Sequence, residues 1–254
     1  MSIVSTQQKS GRETGGLLEV VVAHPRDVEG ADSGGADRLF LVAGVQDDGG
    51  RSPEPELVSA VCRESDIPVR VMLRLSDGLS STGGELTQLV GLGEEYLAVG
   101  AEGVSFGFID ADNGIDVEVC GHLADRLAGV PWTFHQAFDA ALDPDRAWRQ
   151  VRRLPGLDAV LSAGSPLGMD SGYDELTDRA SVDPDVARLL LAGGGLRAEH
   201  VPWLVRAGVR QFQVGSVVRP GGSWTKAYVD GGHVRAWRML LDDAVDRALG
   251  RSVG

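Results

Sequence analysis

The feature that most constrains this chain is an alternation of strand-like and helix-like segments repeated eight times. Short apolar runs rich in Val and Leu recur at Leu17–Ala23, Arg38–Val42, Pro68–Leu73, Gly103–Ile109, Pro131–His135, Ala159–Leu161, Arg188–Ala192 and Gln211–Val214. Runs apolar on both faces suit strands of a parallel sheet covered by helices. Apolar residues at helical spacing predict helices over Pro55–Glu64, Glu85–Val99, Asp116–Ala128, Asp145–Leu154, Ala198–Ala207 and Val234–Leu249, with fainter patterns at Gly30–Ala36 and Asp170–Ala180. Gly-rich pieces at Gly44–Gly50, Ser76–Gly84, Gly164–Gly172 and Gly193–Gly195 read as long loops after strands. The count of eight, with no division into two halves, favours a closed (β/α)8 TIM-type barrel over a doubly wound sheet. Residues 17–250 are expected to form that barrel as one domain, behind a disordered leader over residues 1–16.

Composition narrows the partners. Of 254 residues, 43% are hydrophobic and 24% charged, which is ordinary for a globular protein. The formal net charge of -13 repels phosphate backbones and anionic lipid, so neither nucleic acid nor membrane is expected as a partner. No apolar run approaches the ~20 residues needed to span a bilayer. The polar leader lacks the apolar centre of a signal peptide, so a cytoplasmic location is expected. Cys62 and Cys120 sit in no CxxC pair, which leaves two buried free thiols rather than a disulfide framework or a thiolate metal cluster.

Barrels of this type carry function at the carboxyl ends of their strands. Glu19 lies between Leu18 and Val20 in the first run, and a buried carboxylate needs a partner or a ligand. Arg74, at the end of the third run, is the expected partner, and a guanidinium there could also grip a carboxylate or phosphate. His135 ends the fifth run as a candidate base, proton donor or metal ligand. Asp139 could orient that imidazole or cap the next helix, and Thr133 is expected to line the barrel interior. Ser162 and Gly164 form a small-residue turn whose amides could face a ligand. Gly194, Gly195, Gly215 and Ser216 follow the last two strands, where a barrel can hold a phosphate; tight closure would also use glycine. Asp110, Asp112 and Asn113 read as a solvated turn, since the calcium-loop pattern lacks its distal Glu.

Taken in order, these strings resemble the CutC copper-homeostasis family. The resemblance is carried by Leu18-Glu19, Gly35-Ala36-Asp37-Arg38-Leu39, Gly49-Gly50 with Ser52-Pro53, Ile67-Pro68-Val69 leading to Arg74, and Gly103 with Gly107. It continues through Thr133-Phe134-His135 with Ala137-Phe138-Asp139, Leu161-Ser162-Ala163-Gly164, Ala192-Gly193-Gly194-Gly195 with Arg197, and Tyr228-Val229-Asp230-Gly231. It implies a TIM-type barrel, cytoplasmic and self-associating, linked to copper handling, with copper as the metal. The chain departs from the family pattern at five places. Val21 and Val42 stand where cysteines are usual, Phe40 replaces a carboxylate, Gln213 replaces a histidine, and the Arg-rich loop after the third strand shrinks to Arg74-Leu75-Ser76-Asp77-Gly78. Cu(I) prefers soft sulfur ligands. Three readings follow: a copper-handling protein, an enzyme or binder for a small anionic or phosphorylated metabolite, and a scaffold that has lost its chemistry.

Overall fold

The computed structural model describes residues 15–45 and 50–251. The expected leader lies outside the described residues up to position 14, as do positions 46–49 of the expected Gly44–Gly50 loop. Eight parallel strands close into a barrel in sequence order: β1 (Leu17–Val22), β2 (Arg38–Leu41), β3 (Val69–Met72), β4 (Gly103–Phe106), β5 (Trp132–Phe134), β6 (Leu157–Ser162), β7 (Leu190–Ala192) and β8 (Gln211–Val214). Closure comes from β1 pairing with β8, with Glu19 level with Gln213. Around the barrel run α1 (Arg26–Gly34), α2 (Pro55–Glu64), α3 (Gly83–Ala98), α4 (Val117–Arg126), α5 (Pro144–Val151), α6 (Met169–Val182), α7 (Pro184–Leu189), α8 (Val201–Arg206) and α9 (Gly231–Ala248). Among the described residues no helix is long and apolar enough to cross a membrane.

Side chains alternate along each strand, and the two faces bury different sets. Leu18, Val20 and Val22 of β1, Leu39 and Leu41 of β2, and Val69 and Val71 of β3 join one large core between sheet and helices. Each such side chain taken fully out of water contributes about 1.5–3 kcal/mol. The inward positions of the same strands hold Glu19, Val21, Arg38, Phe40, Arg70 and Met72, all buried. The strands therefore look doubly apolar in sequence, yet their polar residues all share the inward parity.

The helix ends follow from local chemistry. Thr82 and Glu85 form a reciprocal capping box at the start of α3. Asp116, Asp143 and Asp230 accept backbone N–H groups at the starts of α4, α5 and α9. Two expectations shift. The run expected from Arg188 begins as a strand only at Leu190, because Asp183 and Pro184 start an extra short helix, α7, that includes Arg188. The fourth run ends as a strand at Phe106 rather than Ile109, and Ile109 instead bridges Ile115 antiparallel. Asp110 Oδ1 accepts the Asp112 and Gly114 N–H groups at 2.9 and 2.8 Å, closing the expected turn.

Candidate functional site

The carboxyl ends of the strands surround a cavity of about 370 Å³. Arg74, His135, Gly194, Gly195, Gly215 and Ser216 all line it, as expected from sequence. Glu19, Asp139 and Ser162 do not. The remaining lining includes Val21, Phe40, Val42, Met72, Gln136, Gln213 and Trp224, and among the described residues it includes no Asp or Glu. Of these, Met72, Gln136 and Trp224 carried no sequence signal: they are unremarkable residues until the barrel closes.

His135 is held by its own backbone. The Ala137 N–H donates to His135 Nδ1 at 3.1 Å, so the ring caps the 3-10 turn Gln136–Ala140. That bond leaves the neutral ring's proton on Nε2. Nε2 is buried and has no hydrogen-bond partner among the described residues. Burial, reinforced by the Arg74 charge, lowers the His135 pKa from 6.5 to about 3. His135 is therefore a neutral donor at ordinary pH. Acting as a base or a metal ligand through Nε2 would need the other tautomer and would cost the Ala137 bond, so those expected roles are set aside.

Arg74 is buried at the cavity edge. Its guanidinium donates to the Gly50 carbonyl at 3.3 Å and the Asp77 carbonyl at 2.6 Å, and its own N–H donates to Ser52 Oγ at 2.8 Å. These bonds tie the loops after β2 and β3 together and fix the cation beside His135. On the far side of the ring, after β7 and β8, the N–H groups of Gly194, Gly195, Gly215 and Ser216 donate to no other described residue. Gly194 has φ +77, a left-handed conformation that favours glycine, and a Cβ there would also push against the end of the Gln136 side chain.

Three expectations need correcting. Glu19 does not pair with Arg74. It accepts from Arg38 Nε and from Gln213 Nε2, the latter at 2.7 Å, beneath the cavity. Register explains this: Glu19 is level with Arg38, and Leu39 with Val69, whereas Arg74 lies five positions past Val69. Asp139 neither touches His135 nor caps α5. It accepts from Ser162 Oγ and, at 2.8 Å, from the Ala163 N–H, fastening β5 to β6. Burial raises its pKa from 3.8 to about 6 against those hydrogen bonds. The Ser162–Gly164 turn is consequently occupied, since the Gly164 N–H donates to Ser162 Oγ at 2.9 Å. Thr133 is inside the barrel as expected, accepting from Arg70 Nη1 at 2.8 Å.

Behind the cavity lies a pair that sequence reasoning passed over. Arg219 and Asp27 are both fully buried and meet in a two-pronged bridge at 2.9 and 2.7 Å. Asp27 also accepts the Ala23, His24 and Val229 N–H groups. The guanidinium carbon of Arg219 lies 4.5 Å from the Trp224 ring centre, a cation–π contact.

Cu(I) does not fit this donor set. Among the described residues no group of three or more His, Cys, Asp or Glu could hold a metal ion. Met72 is the one sulfur lining the cavity. Cys62 and Cys120 are on α2 and α4, away from the mouth, and burial pushes the Cys120 thiol up to about 12.

Comparison with known proteins agrees with the barrel. The CutC family profile matches residues 16–217. The human copper homeostasis protein cutC homolog is 35% identical over 80% of this chain and 74% of its own length. The family protein CutC of Klebsiella pneumoniae strain 342 is 27% identical over 77% of this chain and 78% of its own. The crystal structure of CutC from Streptococcus agalactiae superposes with a TM-score of 0.70 at 23% identity, covering 79% of this chain and 98% of that one, and shares the fold. With the profile spanning most of the barrel, the chain belongs to the CutC family.

Proposed function

We propose that this CutC-family barrel binds a small organic anion, a carboxylate or a phosphate ester, at the carboxyl ends of its strands. The observation that carries this reading is the buried Nε2–H of His135, a donor with no partner among the described residues, on a side chain that lines a cavity whose described lining includes no carboxylate. A buried donor left unsatisfied costs about 1–3 kcal/mol, and a ligand oxygen recovers it. Arg74 supplies positive charge beside it, and the Gly194, Gly195, Gly215 and Ser216 amides supply further donors across the mouth.

The cellular role carried by the relatives' names is copper homeostasis, which we retain at the level of the family. The donors of this mouth do not extend it to a Cu(I) site. Nor do they include a base: Glu19 lies outside the lining in its own ion pair, and the unpartnered nitrogen of His135 already bears a proton. The chemistry assigned to the site is binding and polarisation of an acceptor oxygen.

Thermal-shift and calorimetric titrations with inorganic phosphate and sulfate test the reading. Both anions are expected to stabilise the fold, and Arg74→Ala is expected to abolish the effect. The proposal fails when neither anion stabilises, or when stabilisation survives Arg74→Ala. A parallel Cu(I) titration under reducing conditions is expected to show nothing tighter than a surface site.

A further inference from the structure

We propose that the mouth's ligand is an amphiphilic anion, with one acidic group and a flat apolar body seated on a wall of Val21, Phe40, Val42, Met72 and Trp224. This rests on the anion-binding reading and names the class of molecule within it.

The wall is a distinct structural unit. Val21, Phe40, Val42 and Met72 form a cluster of their own inside the barrel, separate from the core between sheet and helices, and Trp224 packs against it. All five line the cavity. They come from β1, from β2 and the residue just past its end, from β3, and from the segment after β8, so one side of the mouth is continuously apolar. A hydrated sugar hydroxyl placed against Val21, Phe40, Val42 and Met72 finds no strong donor or acceptor on those side chains, and its desolvation is unrecovered. An aromatic or branched body instead displaces water from apolar surface.

Trp224 is also held in place. Arg219 packs over its ring, and Asp27 holds the Arg219 guanidinium from behind. At its other end the indole closes on the β8 corner, where a Cβ added to Gly215 would come within 3.0 Å of it. An aromatic side chain fixed by a buried ion pair offers contact area with little ordering cost on binding. The acidic group is then placed by what lines the rest of the mouth: the unpartnered His135 Nε2–H and the Arg74 guanidinium.

Calorimetry on the full chain with inorganic phosphate, ribose 5-phosphate and phenyl phosphate tests this, at one pH and one ionic strength. Phenyl phosphate is expected to bind at least about tenfold more tightly than either of the others, equivalent to about 1.4 kcal/mol. Trp224→Ala is expected to bring the phenyl phosphate to phosphate ratio down to about threefold or less. Val42→Thr, which keeps the side-chain volume and adds a hydroxyl, is expected to lower it several-fold in a protein whose melting temperature shows it folded. The inference is overturned when ribose 5-phosphate binds as tightly as phenyl phosphate, or when the preference survives both substitutions. Absence of binding by all three anions removes the anion reading itself, whereas phosphate binding with no preference for the phenyl ester removes only the apolar body.

Discussion

The lower and upper halves of the barrel interior are built from the same residue types to opposite ends. Below, charge meets charge: Glu19 is held by Arg38 and Gln213, and Arg70 reaches Asp158 in a two-pronged bridge at 2.6 and 2.9 Å, with Glu102 at 3.3 Å. Above, the described lining of the cavity includes Arg74 and His135 and no Asp or Glu. Four positions separate the regimes: Arg70 within β3 and Arg74 just past its end are both buried but serve different layers. The lesson is that a buried polar group reports function through its partner and not through its burial. A paired charge fixes the closed ring, and a donor without a partner points to a ligand only where its side chain lines a cavity, as His135 does and Arg38 and Arg70, each with one unpartnered nitrogen, do not.

The comparison breaks first on Glu19. Removing one member of a buried pair strands the other, at a cost of about 3–5 kcal/mol. Glu19→Ala is expected to lower unfolding free energy by that amount in urea, because Arg38 would keep its charge in a site only 5% exposed. The double change Glu19→Leu with Arg38→Met is expected to recover most of the loss, since an apolar pair needs no compensation. A single substitution costing under about 1 kcal/mol would show that the lower layer is not held by pairing.

The upper layer should show the reverse balance. His135→Ala removes a donor that only a ligand satisfies, so phosphate affinity is expected to fall by about 1.5–3 kcal/mol, roughly 10- to 150-fold. Stability is expected to fall by only about 1 kcal/mol, the worth of the lost cap on the Ala137 N–H. Titration calorimetry and urea unfolding on the same preparation measure both. Unchanged phosphate affinity would remove His135 from the binding site.

How much of this was legible beforehand follows from the range of each interaction. Strand–helix alternation is local, so eight strands and a closed barrel could be read from periodicity, and so could the placing of Arg74, His135 and the late glycines at one rim. The pairing of Glu19 depends on register between strands, which a single run does not encode. Arg38 nevertheless shares Glu19's inward parity, and that parity was the available signal. Asp27 and Arg219 are 192 residues apart and meet only because β1 closes on β8. Trp224 follows a Pro-Gly-Gly stretch that reads as an ordinary loop, and its place on the cavity wall comes from contacts with Arg219, the Gly215 corner and the inner apolar cluster, all distant in sequence or set by the closed barrel.

The finest test of the comparison is the pH dependence of two neighbours at the rim. His135 has a pKa of about 3 in the folded chain against 6.5 unfolded, so between those values the unfolded chain binds the additional proton. Stability from this group is full above pH 6.5 and is lost as pH falls toward 3. Asp139 runs the other way: its folded pKa of about 6 exceeds 3.8, the folded chain binds the additional proton between them, and stability is lost as pH rises through that window. The two effects oppose each other where the windows overlap. Asp139→Asn keeps an oxygen to accept the Ala163 N–H but removes the titration, leaving the His135 effect uncovered. Relative to the unsubstituted chain, the variant is expected to gain stability with rising pH between about 4 and 6, with an added slope of up to about 1.4 kcal/mol per pH unit. Urea unfolding of both proteins across that range reads the difference directly, because the remaining carboxylates contribute equally to each. Combining Asp139→Asn with His135→Ala should return the slope to that of a chain in which neither group titrates. An added slope that persists without His135 would place its source elsewhere, and the imidazole would then be no more buried or neutral in solution than an ordinary surface histidine.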